Sequence, residues 1–185
     1  MNIFLEERLA YHPDHVYEIL WKRFTDLPAH LPNVESITEL SSHDHSELHQ
    51  QTEHRWCADK AVVPGFARPF IKPNVFQWIG HADWRHDIRQ VDFHFLSDVF
   101  KDLYECKGQF LVGPHAEDGQ HTHIVIQARL DIFPERLPGV PRWLAGKVGN
   151  LIEDLLMDRI EPSLAALPHA VTLYASQNAS APTFA

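Results

Sequence analysis

The chain has 185 residues, 44% hydrophobic and 22% charged, which suits one soluble domain with a sizeable core. Its formal net charge is −9 and no lysine or arginine run interrupts it, which argues against nucleic acid as a partner. Two cysteines, Cys57 and Cys106, form neither a disulfide framework nor a Cys-x-x-Cys metal motif, so a reducing, cytoplasmic setting is expected.

The opening stretch MNIFLEERLAYHPDH has no basic n-region and no apolar h-region, so it does not read as a signal peptide. No window approaches the roughly 18 apolar residues of a membrane span. Residues 2–11 alternate: Ile3, Leu5, Leu9 and Tyr11 share one parity, Glu6 and Arg8 the other, as in a half-buried strand. Pro13 and Asp14 then open a helix, PDHVYEILWKRF, with Val16, Ile19, Leu20 and Phe24 at helical spacing. TDLPAHLPN breaks it and adds a short second helical turn.

From Val34 to about Ile132 the period is that of strands, expected at 34–42, 46–57, 74–86, 88–97, 103–113 and 121–132. SHDH, HDI and GPHAEDGQH read as polar turns; ADKAVVPGFARPFIKPN and SDVFKD read as apolar or mixed loops. After Pro138 comes GVPRWLAGKVGNLIEDLLMDRIEPSLAALPHA, the strongest element. Val140, Leu144, Val148, Leu151 and Leu155 make one stripe, widened by Ile152 and Leu156. Such a helix reaches roughly 40 Å at ~1.5 Å per residue. Pro162 is expected to kink or end it. Gly146 and Gly149 each cost about 1 kcal/mol of helix propensity, which suggests close backbone approach or space beside the helix. Residues 171–185, ending TLYASQNASAPTFA, read as a mobile, non-functional tail after a single domain over 1–170.

The fold class is α+β: a curved antiparallel seven-stranded sheet wrapped around a long C-terminal helix, with two short helices after the first strand. This order resembles the helix-grip fold of the START-like superfamily, which includes the birch-pollen allergen, START lipid-transfer domains and bacterial polyketide cyclase-like proteins. The resemblance covers residues 2 to about 168. It is carried by AYHPDHVYEILWKRFTDLPAHLPNVESITEL and by the long helix after FPERLPGVPRW, with Val16, Tyr17, Asp26, Pro28 and Pro32 following the family's cadence. The resemblance implies an apolar ligand held between sheet and helix, and defines no catalytic signature.

Strand parity sorts the side chains into two faces. Phe76, Trp78 and Trp84 share one set; Val91, Phe93 and Phe95 a second; Tyr104, Cys106 and Phe110 a third; Ile124, Ile126, Ala128 and Leu130 a fourth. Their neighbours are mostly polar, so the concave face is aromatic and the convex face wet. Such walls suit an apolar pocket. The expected lining is Trp56, Phe66, Phe70, Phe76, Trp78, Trp84, Phe93, Phe95, Tyr104, Phe110, Trp143, Lys147, Leu151 and Leu155.

Hairpins of a meander turn at alternate ends. Turns at 43–45, 86–88 and 114–121 are expected at one end; loops 58–73, 97–102 and 133–139 at the other. The second group holds Val62, Val63, Phe66, Phe70, Ile71, Val99, Phe100, Phe133, Leu137 and Val140, and reads as the mouth of the cavity. Its segment 58–73 reads as a lid, or as a loop for transient contact with a membrane; the alternative is a plug over the sheet end.

His43, His45, His49 and His54 cluster in SSHDHSELHQQTEHRW, yet spacing alone does not make three or four metal ligands converge, and no metal site is expected. His43 and His45 are assigned to a turn, and His49 to the wet face. His54 shares the parity of Trp56 and should look inward. It and Tyr104 are the catalytic candidates, His54 as a base near neutral pH, although no second titratable partner can be placed beside it. Cys106 reads as a buried small hydrophobe. Lys147 and Arg159, on or beside the helix stripe, either meet an acidic head group or snorkel outward. The reading favours a carrier of a mostly apolar molecule (lipid, isoprenoid or polyketide) over a cyclase, dehydratase or aromatase on the same scaffold, and over a docking module using the apolar loops. No cofactor is expected, and the sequence leaves the oligomeric state open.

Overall fold

The computed structural model describes residues 1–59, 77–97, 104–117, 119–133 and 161–178. Seven antiparallel strands form one curved sheet: β1 (Asn2–Leu9), β2 (Val34–Ser46), β3 (His49–Ala58), β4 (Gln77–Arg85), β5 (Gln90–Ser97), β6 (Tyr104–Pro114) and β7 (Thr122–Ile132). Their order is β1-β7-β6-β5-β4-β3-β2. Strands β2 to β7 are a meander, each paired with the next, and β1 closes the far edge on β7 with Ile3 opposite Ala128.

Between β1 and β2 run α1 (Pro13–Lys22) and a 3-10 helix (Phe24–His30). His12 caps α1 in an extended conformation, its Nδ1 accepting from the Asp14 amide at 3.3 Å, while Pro13 takes the first turn, where no amide is needed. Asp14 near the start and Lys22 near the end complement the helix dipole. Val16, Tyr17, Ile19 and Leu20 form its buried face. The register of β3 to β7 lines up three inner rows: His54, Gly80, Phe95, Cys106, Leu130; Thr52, Ala82, Phe93, Gly108, Ala128; and Gln50, Trp84, Val91, Phe110, Ile126. The outer face carries ion pairs such as Arg85–Asp92 and Lys107–Glu105, both at 2.8 Å.

Two expectations change. The β2–β3 turn lies at Glu47 and Leu48, with Ser46 opposite His49; His43 and His45 therefore belong to β2, not to a turn. Polar residues filled both strand and turn there, so composition did not mark the reversal. At the C-terminus, residues 161–178 form helix α2, with Pro162 in its first described turn; the expected stripe from Val140 to Leu156 lies outside the described residues. Val171 and Ala175, placed in the expected tail, are buried beside Leu164, Leu167 and Ala170. The 3-to-4 spacing of these small side chains is a helical stripe that fills space without bulk.

Candidate ligand site

The floor of the site is built from strand parity. Trp84, Phe93, Phe95 and Phe110 are buried on the inner face, as are Trp56 and His54 on β3. Gly80 makes the floor continuous. A Cβ there would stand 2.6 Å from Phe95 Cε1 and 3.0 Å from Trp56 Nε1, so only glycine lets these rings meet, with centroids 5.3 Å apart. Gly108 does the same under Phe93, whose Cζ would lie 2.5 Å from an added Cβ. Phe93 then packs on Phe110 at 4.8 Å.

The cover comes from α1, the 3-10 helix and α2. Leu20, Phe24 and Leu167 face this floor across a cavity also walled by His54, Trp56, Gly80, Ala82, Trp84, Val91, Phe93, Phe95 and Phe110. Phe24 sits edge-on to His54 and Trp56, both at 5.4 Å, and to Trp84 at 6.3 Å. The space between these described residues is about 20 Å³, the room of one water molecule. Ligand pockets hold about 300–1,000 Å³, so a ligand must part these walls.

His54 is the buried imidazole among the described residues of the cavity wall. It is only 4% exposed, and burial pushes its pKa down to about 4, so the ring is neutral at pH 7. The carboxylate of Glu39, its cross-strand partner, lies 3.8 Å from Nε2, beyond hydrogen-bond length but within ion-pair reach. Glu39 is half-exposed at the sheet edge. Nearby, Trp84 donates from Nε1 to Thr52 Oγ1 at 2.9 Å, both buried.

The structure thus brings together Trp56, Trp84, Phe93, Phe95, Phe110 and His54. Trp78 stacks on Trp56 at 5.8 Å, half-buried just beyond the cavity. Tyr104 lies three strands from His54, about 14 Å along the sheet at ~4.8 Å per strand, and is not among the described cavity residues. Burial raises its phenol pKa, and it holds the Cys106 thiol up at about 12. Neither group is a ready acid or nucleophile at neutral pH. Phe66, Phe70, Phe76, Trp143, Lys147, Leu151 and Leu155 lie outside the described residues, as do Arg159 and most of segment 58–73.

Sequence reasoning missed Glu39, Leu20, Phe24, Gly80 and Leu167 as wall or rim residues, whereas Val91 lies on the inner face where parity set it. Glu39 was hidden by the misplaced turn. With the reversal at 43–45, His54 pairs far from Glu39; with it at Glu47–Leu48, and with the register shifts between Asp44 and Ser46 and between Glu39 and Ser41, they are opposite.

His43 and His45 have ring centroids 4.5 Å apart, and His45 stacks on His49 at 4.7 Å. His49 Nε2 lies 3.0 Å from both Asp83 oxygens on the outer face. Among the described residues, no three His, Cys, Asp or Glu side chains are grouped to hold a metal ion. None of the described helices is long and apolar enough to cross a membrane.

No protein-family model matches the sequence, and no curated protein matches it significantly. Solved structures do resemble it. The Zhui aromatase/cyclase from Streptomyces sp. R1128 superposes with a TM-score of 0.68 at 16% identity, over 100% of this chain and 99% of that one. Norcoclaurine synthase from Thalictrum flavum gives 0.61 at 14% identity, over 96% and 87%. A START superfamily protein from Mycobacterium smegmatis gives 0.54 at 12%, over 95% and 97%. The inner aromatic floor, the covering helices and these likenesses together identify the chain's architecture as the START-like, polyketide-cyclase-type helix-grip fold.

Proposed function

We propose that the chain binds and carries a mostly apolar small molecule (a lipid, isoprenoid or polyketide) between the inner face of the sheet and the helices that cover it. The observation that supports this most is the inner wall itself. Among the described residues it is built from aromatic and aliphatic side chains around a single buried imidazole. Burying ligand area there contributes roughly 25 cal/mol per Å², less the cost of parting the walls and immobilising the ligand. The fold likeness supports the same reading, because this architecture encloses hydrophobic ligands.

The low pKa of His54, about 4, favours carriage over acid–base catalysis, since an effective base titrates near its working pH. A cyclase, dehydratase or aromatase remains the second reading. Glu39 beside His54 supports it, as a carboxylate that orients an imidazole. The names of two structural neighbours, an aromatase/cyclase and norcoclaurine synthase, support it as well. The docking-module reading and membrane contact rest on loop residues outside the described ones.

Titration with N-phenyl-1-naphthylamine, a neutral dye that brightens in apolar surroundings, tests carriage. The expected result is saturable enhancement with about one site per chain. No enhancement, with no small molecule in organic extracts of the purified protein, overturns it.

A further inference from the structure

We propose that this cavity selects an apolar ligand ending in one uncharged hydroxyl, an alcohol or a phenol, over the same skeleton ending in a carboxylate. The proposal rests on the carrier reading and names the chemistry of what is carried. Its first support is which polar groups the wall leaves available. Trp84 donates its Nε1–H to Thr52 Oγ1, and Thr52 is not among the described lining residues of this cavity. His81, also along the cavity, has a side chain 48% exposed beside Glu53, where water satisfies it. That leaves two groups on the cavity wall: the Nε1–H of Trp56, which can only donate, and the imidazole of His54, more than nine-tenths buried.

The second support is the tautomer. The Glu39 carboxylate 3.8 Å from Nε2 favours the proton on that nitrogen. Nδ1 then carries a lone pair, and the partner it needs is a donor. A hydroxyl donates; a carboxylate has no hydrogen to give. A carboxylate also brings a second negative charge near Glu39 in a site of low dielectric. The third support is the rest of the wall: none of its described residues is a lysine or arginine that would neutralise an anion. The chain's formal charge of −9 repels anions further.

Competition against bound N-phenyl-1-naphthylamine separates the alternatives, using 2-naphthol, naphthalene and 2-naphthoate, which share one ring system. The expected result is that 2-naphthol displaces the dye at concentrations at least about tenfold below either of the other two. His54→Leu should erase the advantage over naphthalene, with each competitor's displacement referred to the variant's own affinity for the dye. Leucine suits a buried apolar position, so this variant should fold; circular dichroism checks it, and His54→Gln serves as a second, polar probe. Glu39→Gln should weaken the discrimination against 2-naphthoate. Dye binding with equal displacement by all three, or with 2-naphthoate strongest, overturns the hydroxyl proposal and leaves carriage standing. Absence of dye binding overturns both.

Discussion

Protonating His54 costs free energy because its ring is buried among Phe24, Trp56 and Phe95, with little water to solvate the charge. Its folded-state pKa, about 4, is below its ordinary 6.5. The unfolded chain therefore binds the extra proton between those values. Stability from this group is complete above pH 6.5 and is lost as pH falls toward 4, by about 3 kcal/mol in all. His86 and His94 are also lowered, mainly by burial, and add slope in the same acid range. The measurement is thus a difference: urea unfolding of wild type and His54→Leu from pH 7.5 to 4. The variant should lose less stability across that range; equal losses would show that His54 is solvated. Parity alone was enough to place His54 on the inner face beside Trp56. Its partner Glu39 was not legible, because a hairpin's register depends on which two residues turn, and SSHDHSELHQ is polar throughout.

At the scale of elements, the 3-10 helix sets Phe24 among the described walls of the cavity. The ring meets His54, Trp56 and Trp84 edge-on. Phe24→Ala should cost about 2–4 kcal/mol of stability and leave a hole on the aromatic floor. Because the walls then need less parting, affinity for N-phenyl-1-naphthylamine should rise by about tenfold. A thermal melt and a dye titration check the two halves; a loss of affinity would show that Phe24 is a ligand contact and not an obstruction. The strands and α1 were readable in the sequence because periods of two and of 3.6 separate cleanly in stretches such as QVDFHFLS and PDHVYEILWK. The end of α2 was not. Ala170, Val171 and Ala175 pack closely because they are small, and that same smallness made VTLYASQN look like a tail. Leu20 and Phe24 have the spacing of a helix face, but nothing local says which part of the sheet a helix will cover.

At the scale of the molecule, the sheet supplies a floor and the helices a roof, and the function follows from what lies between them. Gly80 and Gly108 let aromatic rings lie across neighbouring strands, so the floor is one apolar surface and not separate side chains. The wet outer face, with Arg85–Asp92, Lys107–Glu105 and His49–Asp83, keeps that side in water. A crystal structure of the protein with N-phenyl-1-naphthylamine bound tests the central claim most directly. The dye should sit on the inner face against Trp56, Trp84 and Phe95, with Phe24 displaced from its present contacts. Dye bound only on the outer face, or ordered away from these rings with the cavity unchanged at its one-water size, would contradict it.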